Sequence, residues 1–66
     1  MKINKDVFYK HMAAQGLSMS DVRVQMDISR SFLWEVLEGK KGAGSKFIAG
    51  IMIVFPDVAL NSFFLE

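Results

Sequence analysis

The sequence SMSDVRVQMDISRSFLWEVLEG, which spans residues 18–39, contains two short helical patterns separated by a break. Ser18 and Ser29 each precede one of these patterns, and serine is a preferred N-cap because its hydroxyl accepts a hydrogen bond from a free backbone N–H. Gly39 follows the second pattern and suits the left-handed conformation in which many helices end. Two short helices joined by a tight turn form a helix-turn-helix motif, which is what this stretch predicts.

The break between the two patterns consists of Asp27 and Ile28. Aspartate tolerates the left-handed backbone conformation better than most residues, so Asp27 is suited to a sharp turn between helices. Ile28 is expected to point inward and hold the turn in place. The predicted helices run from residue 18 to 26 and from 29 to 38, and their inward side chains are Val22, Met26, Leu33, Val36 and Leu37.

The segments on either side of this stretch predict three further helices. The first runs from Asn4 to Gln15, with Asn4 as its N-cap, and ends at Gly16. A basic, glycine-rich loop follows at residues 40–44, which we call the basic loop. After it, Ser45 is expected to cap the segment KFIAGIMIVF at residues 46–55.

This fourth helix is apolar nearly all round, so it is expected to be buried at the centre of the fold. Pro56 stops it, because proline cannot continue a helix. Asp57 then starts a last short helix with the sequence VALNSFFLE. The prediction is an all-α domain of five helices that uses the whole chain, residues 1–66.

Composition excludes several classes of protein. The 66-residue chain has no cysteine and one histidine, so neither disulfides nor a thiolate metal site is expected. No apolar run approaches the ~18 residues of a membrane span, and the first residues lack the apolar core of a signal peptide. No nucleophile and base stand at a convincing spacing. We therefore expect a soluble cytoplasmic protein that is not an enzyme and binds no cofactor.

The layout resembles the Cro and phage-repressor type of helix-turn-helix domain, also called the XRE type. The resemblance covers most of the chain, and the closing segments look like those of small members from actinobacteria and their phages. Its most specific part is the pattern ISRS…L..V..G-K, placed between an amphipathic helix and an apolar one. The residues that carry it are Gly16, Leu17, Ser18, Val22, Met26, Ile28, Ser29, Arg30, Ser31, Leu33, Val36, Gly39 and Lys40.

The resemblance implies a sequence-specific transcriptional regulator, a repressor that reads double-stranded DNA with the helix at residues 29–38 in the major groove. Arg30 is the best candidate for a base contact, because a guanidinium pairs with guanine O6 and N7. The rival interpretation of Arg30 is a solvated side chain or a phosphate contact. The implied DNA-binding residues are Met19, Arg30, Ser31, Trp34, Glu35, Lys40 and Lys41.

Apolar residues make up 52% of this short chain, so part of the apolar surface should stay exposed and find a partner. This predicts a homodimer, and the resemblance assigns its interface to the end of the chain. The predicted interface residues are Leu60, Phe63, Phe64 and Leu65. The alternative is that these side chains fold back onto the first helix.

Two side chains favour a rival function, a phage-type protein-binding module (an antirepressor or host-takeover factor) that keeps the fold without specific DNA binding. Glu35 would repel phosphates unless it accepts a hydrogen bond from cytosine or pairs with Arg30 or Arg23. Arg23 stands where the resembled family usually has alanine. The net charge of +1 points the same way.

Other notable side chains have ordinary structural interpretations. Trp34 is expected to be partly buried, and His11 to be a half-buried residue of the core. Lys40 and Lys41 also fit plain solubilising charge at a helix C-terminus. The methionines at 12, 19, 26 and 52 are most simply core residues.

Overall fold

The computed structural model describes residues 2–65, and most of them are helical, as predicted. Four α-helices are followed by one short 3₁₀ helix, and an isolated antiparallel bridge joins the two ends of the described chain. The elements are α1 at Lys5–Ala14, α2 at Met19–Met26, α3 at Arg30–Leu37, α4 at Ser45–Val54 and the 3₁₀ helix at Leu60–Phe63.

Two of the three predicted serine caps, Ser18 and Ser29, are confirmed. Ser18 Oγ accepts a hydrogen bond from the backbone N–H of Asp21 at 3.1 Å, and the Asp21 carboxylate accepts one from the Ser18 N–H at 2.9 Å. These reciprocal bonds form a capping box, which satisfies free donors at the start of α2. Ser29 Oγ accepts from the N–H of Phe32 at 3.0 Å at the start of α3.

The turn between α2 and α3 has the predicted conformation. Asp27 has φ 56° and ψ 49°, which is left-handed, and it is the one non-glycine residue with positive φ among residues 2–65. Its N–H donates to the Val24 carbonyl at 3.1 Å, and the Ile28 N–H donates to the Arg23 carbonyl at 3.1 Å. Ile28 is buried, as predicted, so its side chain fixes the turn against the core.

An aromatic cluster forms the centre of the core. Phe8 of α1 lies with its ring centroid 5.5 Å from that of Phe55 and 5.9 Å from that of Phe63. His11 lies 5.2 Å from the Phe63 ring and is half-buried, as expected. Phe63 itself is fully buried. It therefore belongs to this chain's own core and has no surface to offer a second copy, contrary to its predicted place in a dimer interface.

Helix α4 differs from its prediction in two ways. Its N-cap is Gly44, which has no side chain to bond, and Ser45 is already the first helical residue rather than the cap. The helix is also not buried all round, because Met52 is 58% exposed and Ile53 is 68% exposed. Met52 is therefore not a core residue.

The buried side of α4 packs closely against α2. At Gly50 an added Cβ would lie 2.8 Å from Met26 Cε and 3.0 Å from Met26 Cβ. A glycine is needed there because the two helices approach so closely.

The last segment forms a single 3₁₀ turn and not the predicted helix. After it, the chain becomes extended at Phe64 and pairs with Ile3. The Asn4 N–H donates to the Phe63 carbonyl at 2.7 Å, and the Leu65 N–H donates to the Lys2 carbonyl at 3.0 Å. Helical backbone at these positions would not make these bonds. Residue 66, the end of the predicted helix, lies outside the described residues.

Candidate functional site

One groove of about 570 Å³ opens on the exposed side of α3. It is bordered by α1, by the first residue of α2 and by the loop that follows α3. Six of the seven side chains predicted to bind DNA line it, so the fold brings them together. The lining residues are Tyr9, Met19, Arg30, Ser31, Trp34, Glu35 and Lys40.

The amphipathic pattern of α3 explains this arrangement. Leu33, Val36 and Leu37 are buried on one side of the helix. Arg30 and Trp34 are four positions apart on the other side, and residues at this spacing are neighbours on a helix surface. The same packing that buries the leucines therefore turns the polar and aromatic side chains into the groove.

Trp34 is 47% exposed at the wall of the groove. The ammonium of Lys40 lies 5.3 Å from the centroid of its ring, which is the geometry of a cation–π contact. Trp34 is thus less buried than predicted, and one of its neighbours is a cation from the basic loop.

Pairing with Arg30 or Arg23 was one way in which Glu35 would avoid repelling phosphate, and the structure pairs it with a different cation. Lys41 Nζ lies 3.7 Å from Glu35 Oε2. The same ammonium lies 5.8 Å from the centroid of the Phe32 ring. Lys41 is not among the residues that line the groove, because its side chain turns towards Glu35 and Phe32.

The backbone holds the basic loop in this position. The N–H groups of Lys40 and Lys41 both donate to the carbonyl of Glu35, at 2.8 Å and 3.2 Å. These bonds satisfy a carbonyl at the end of α3 that has no partner within the helix. The two lysines are therefore fixed beside α3 by their main chain, while their side chains remain exposed.

Tyr9 is the groove residue that the sequence interpretation missed. It is 39% exposed on α1. Helical spacing in the sequence puts Tyr9 outside the face formed by Val7, Phe8, His11, Met12 and Gln15. The sequence does show Tyr9 as an aromatic residue outside the inward face of α1, and this could have identified it.

A second, smaller groove of about 340 Å³ lies near the two ends of the chain. Lys5 Nζ lies 3.3 Å from Glu38 Oε2 beside it, which is the second ion pair among residues 2–65. Its lining residues are Lys2, Ile3, Asn4, Lys5, Asp6, Leu37, Glu38, Gly39 and Leu65. None of the predicted DNA-binding residues lies there.

The predicted dimer residues are distributed unevenly between core and surface. Leu60 and Phe64 are partly buried against the core, and Leu65 is 55% exposed. Of the four, Leu65 presents the largest exposed fraction, and Phe63 presents none.

One carboxyl group at the start of α2 has a shifted pKa. The pKa of the Asp21 carboxyl lies below its ordinary value because the carboxylate accepts a hydrogen bond from the backbone N–H of Ser18. A second hydrogen bond, from the Ser18 hydroxyl, has the same but smaller effect. Asp21 is therefore charged at neutral pH, where it favours the positive end of the α2 dipole.

Two further features of the described chain bear on function. Within residues 2–65, no group of three or more histidine, aspartate or glutamate side chains is arranged to hold a metal ion. None of the helices in that range is long and apolar enough to cross a membrane.

Comparisons of the chain with protein-family models, with curated proteins and with solved structures find no match.

Proposed function

We propose that this chain is a sequence-specific DNA-binding transcriptional regulator of the Cro or phage-repressor type, with α3 as its recognition helix. The observation that supports this most is the composition of the groove. Six residues chosen from the sequence for DNA contact line one continuous surface. In this proposal the five helical segments correspond to the Cro-like fold, and the last of them is reduced to a 3₁₀ turn.

The residues of α3 have distinct roles in the proposed complex. Arg30 lies exposed in the first turn, where recognition helices contact base edges, and would pair with guanine O6 and N7. Ser31 beside it would donate to a phosphate. Glu35, one turn further on, would accept a hydrogen bond from cytosine N4. Trp34 would pack against a thymine methyl group or a sugar.

The loop after α3 would supply the phosphate contacts. Lys40 lines the groove and Lys41 lies beside it, so two cations border the same face as Arg30. The net charge of the chain is only +1, so affinity must come from this local group of cations and not from the field of the whole protein.

The test is a binding titration with a duplex that the protein itself selects from a random library. Fluorescence anisotropy measures affinity for that duplex and for a scrambled one over a range of salt concentrations. We expect the selected duplex to bind more tightly, with log K falling linearly with log salt at a slope of about −0.9 per phosphate contact. Failure to bind any duplex at low salt would refute the proposal.

A variant pair tests the role of Arg30. Replacing Arg30 with alanine should weaken binding to the selected duplex by about 5- to 150-fold, since a good bidentate pair contributes ~1–3 kcal/mol of discrimination. Binding to the scrambled duplex should change far less. Lys2→Ala is the control, because it removes a cation that lines the second groove. Equal losses on both duplexes would make Arg30 a phosphate contact.

Regulation would follow from occupancy. A dimer that reads two half-sites about one helical turn apart would block polymerase access to a promoter. Such a repressor needs no catalytic group.

A second candidate function is a protein-binding module that uses the same groove. The observation that favours it is the groove's mixed character, in which Tyr9, Met19 and Trp34 accompany the acidic Glu35. Salt separates the two functions. Binding to a protein through the apolar residues should depend weakly on salt and be lost in Trp34→Ala, whereas DNA binding should fall steeply as salt rises.

A further inference from the structure

The outer face of α4 carries an apolar stripe, which we define as Ala49, Met52 and Ile53. All three are exposed, and Met52 and Ile53 are 58% and 68% exposed. They lie three and four positions apart, so they are neighbours on the helix surface. The opposite side of the same helix enters the core through Phe47, Gly50, Ile51 and Val54.

The stripe is separate from both grooves. The groove of the proposed site is lined by residues of α1, α2, α3 and the loop after α3. The smaller groove is lined by residues near the chain ends and at the end of α3. Neither groove uses a residue of α4, so a partner on the stripe would leave the candidate site open.

Opposite charges flank the stripe in the sequence. Lys46 lies in the first turn of α4, three positions before Ala49, and is exposed. Asp57 lies just beyond the other end of the helix and is also exposed. Neither takes part in the ion pairs found among residues 2–65. The midpoint between these two charges along the sequence falls inside the stripe.

We propose that the outer face of α4 is the interface between two copies of this chain, which pair antiparallel about a two-fold axis near the middle of the stripe. In a two-fold interface every contact occurs twice, with the roles of the two copies exchanged. Lys46 of each copy would therefore face Asp57 of the other. Ala49 allows the two helices to approach closely at their crossing. Met52 and Ile53 then lose their exposed apolar surface to the second copy.

The charge arrangement selects this occupant over others. Antiparallel pairing brings a cation to an anion at both ends of the interface at once, whereas parallel pairing would oppose like charges. The apolar stripe is short, and the interface is smaller than the ~800 Å² per partner of a standard complex. We therefore expect a weak dimer with a dissociation constant between about 1 µM and 1 mM.

The first test is sedimentation of the purified chain from about 1 µM to about 1 mM, the range that brackets this affinity. The weight-average mass should rise from monomer to dimer. Ile53→Lys should weaken self-association at least ~10-fold, because it places a cation in an apolar contact. Leu65→Lys is the control, since Leu65 is 55% exposed, against 68% for Ile53, but belongs to the chain end. A monomer throughout, or a dimer lost in Leu65→Lys and kept in Ile53→Lys, would overturn the proposal.

A charge swap gives the second test. Lys46→Asp and Asp57→Lys should each weaken the dimer, because each places like charges opposite one another. The double variant should recover the affinity of the unmodified chain within a few fold. If the double variant lost as much dimerisation free energy as the two single variants together, the antiparallel arrangement would be contradicted. All these positions are exposed, and an unchanged Tm would show that the variants fold. No DNA is present, so the outcome is independent of the proposed regulator function.

Discussion

The ammonium of Lys41 lies 3.7 Å from the carboxylate of Glu35, so a cation of the basic loop sits against the one acidic side chain in the groove. Both groups are partly exposed, with side chains 56% and 32% accessible. Such a pair is worth little to stability. Its importance lies in the proposed binding step, because Lys41 must leave Glu35 to reach a phosphate.

Replacing Glu35 with glutamine should tighten binding to a scrambled duplex by about two- to fivefold, because an exposed pair is worth up to ~1 kcal/mol. The substitution frees Lys41 and removes a charge that repels phosphate. The slope of log K against log salt should steepen by up to about 0.9 if one more phosphate contact forms. Glu38→Gln is the matched control, since Glu38 pairs with Lys5 beside the other groove. The same gain in both variants would show a plain effect of net charge.

Trp34 is the only tryptophan in the chain and lines the groove, so its fluorescence reports on binding there. Saturating duplex should reduce quenching by acrylamide and change the emission, because Trp34 is now 47% exposed and in contact with Lys40. The Trp34→Phe variant has no tryptophan and gives the background fluorescence to subtract. If the anisotropy shows binding and the quenching stays the same, DNA does not cover this side of α3.

Replacing Gly50 with alanine should destabilise the fold by about 1–3 kcal/mol, the usual cost of overpacking. The new methyl group would lie within 3.0 Å of three carbons of Met26, including its Cβ, which cannot move without the backbone of α2. Urea unfolding measures the loss. Gly44→Ala is the control, because a Cβ at that position meets nothing within 4 Å. An unchanged midpoint in Gly50→Ala would mean that α2 and α4 pack less closely than described.

Acid should remove the contribution of the Asp21 carboxylate to the free energy of unfolding. Its pKa is lowered in the folded chain by the bonds from Ser18, so its stabilising effect is present above the unfolded value of 3.8 and is lost as pH falls through the folded pKa. Asp21→Asn should therefore be less stable than the unmodified chain at neutral pH, and the difference should shrink below pH 3.8. Urea unfolding at several pH values tests this. A difference that is constant with pH would exclude a role for the charge.

The parts of the fold that depend on neighbouring residues were predictable from the sequence. Ser18 and Ser29 bond backbone groups three positions away, and Asp27 adopts a conformation that its own side chain tolerates. The amphipathic stripe of α3 also implied which side chains share the exposed face. These features require no knowledge of how the chain folds back on itself.

Apart from the cap of α4, which is Gly44 and not Ser45, the errors concern contacts between distant segments. The last segment looked helical because of its apolar spacing, but Phe64 pairs with Ile3 at the other end of the chain. Tyr9 lines the groove because the fold brings α1 to the edge of that groove, which its local pattern did not show. The exposed apolar side of α4 was also hidden, since an all-apolar helix gives no sign of which side stays outside.

The pairing of Ile3 with Phe64 determines how the domain responds to force. Because the bridge is antiparallel, Lys2 and Leu65 lie side by side, so the two ends of the described residues meet at one place. Tension applied to the two ends would break the Leu65–Lys2 bond first and the Phe63–Asn4 bond next, as in opening a zipper. When hydrogen bonds break one at a time, each needs only a small force. The domain should therefore unfold at low pulling force, although its aromatic core is tightly packed.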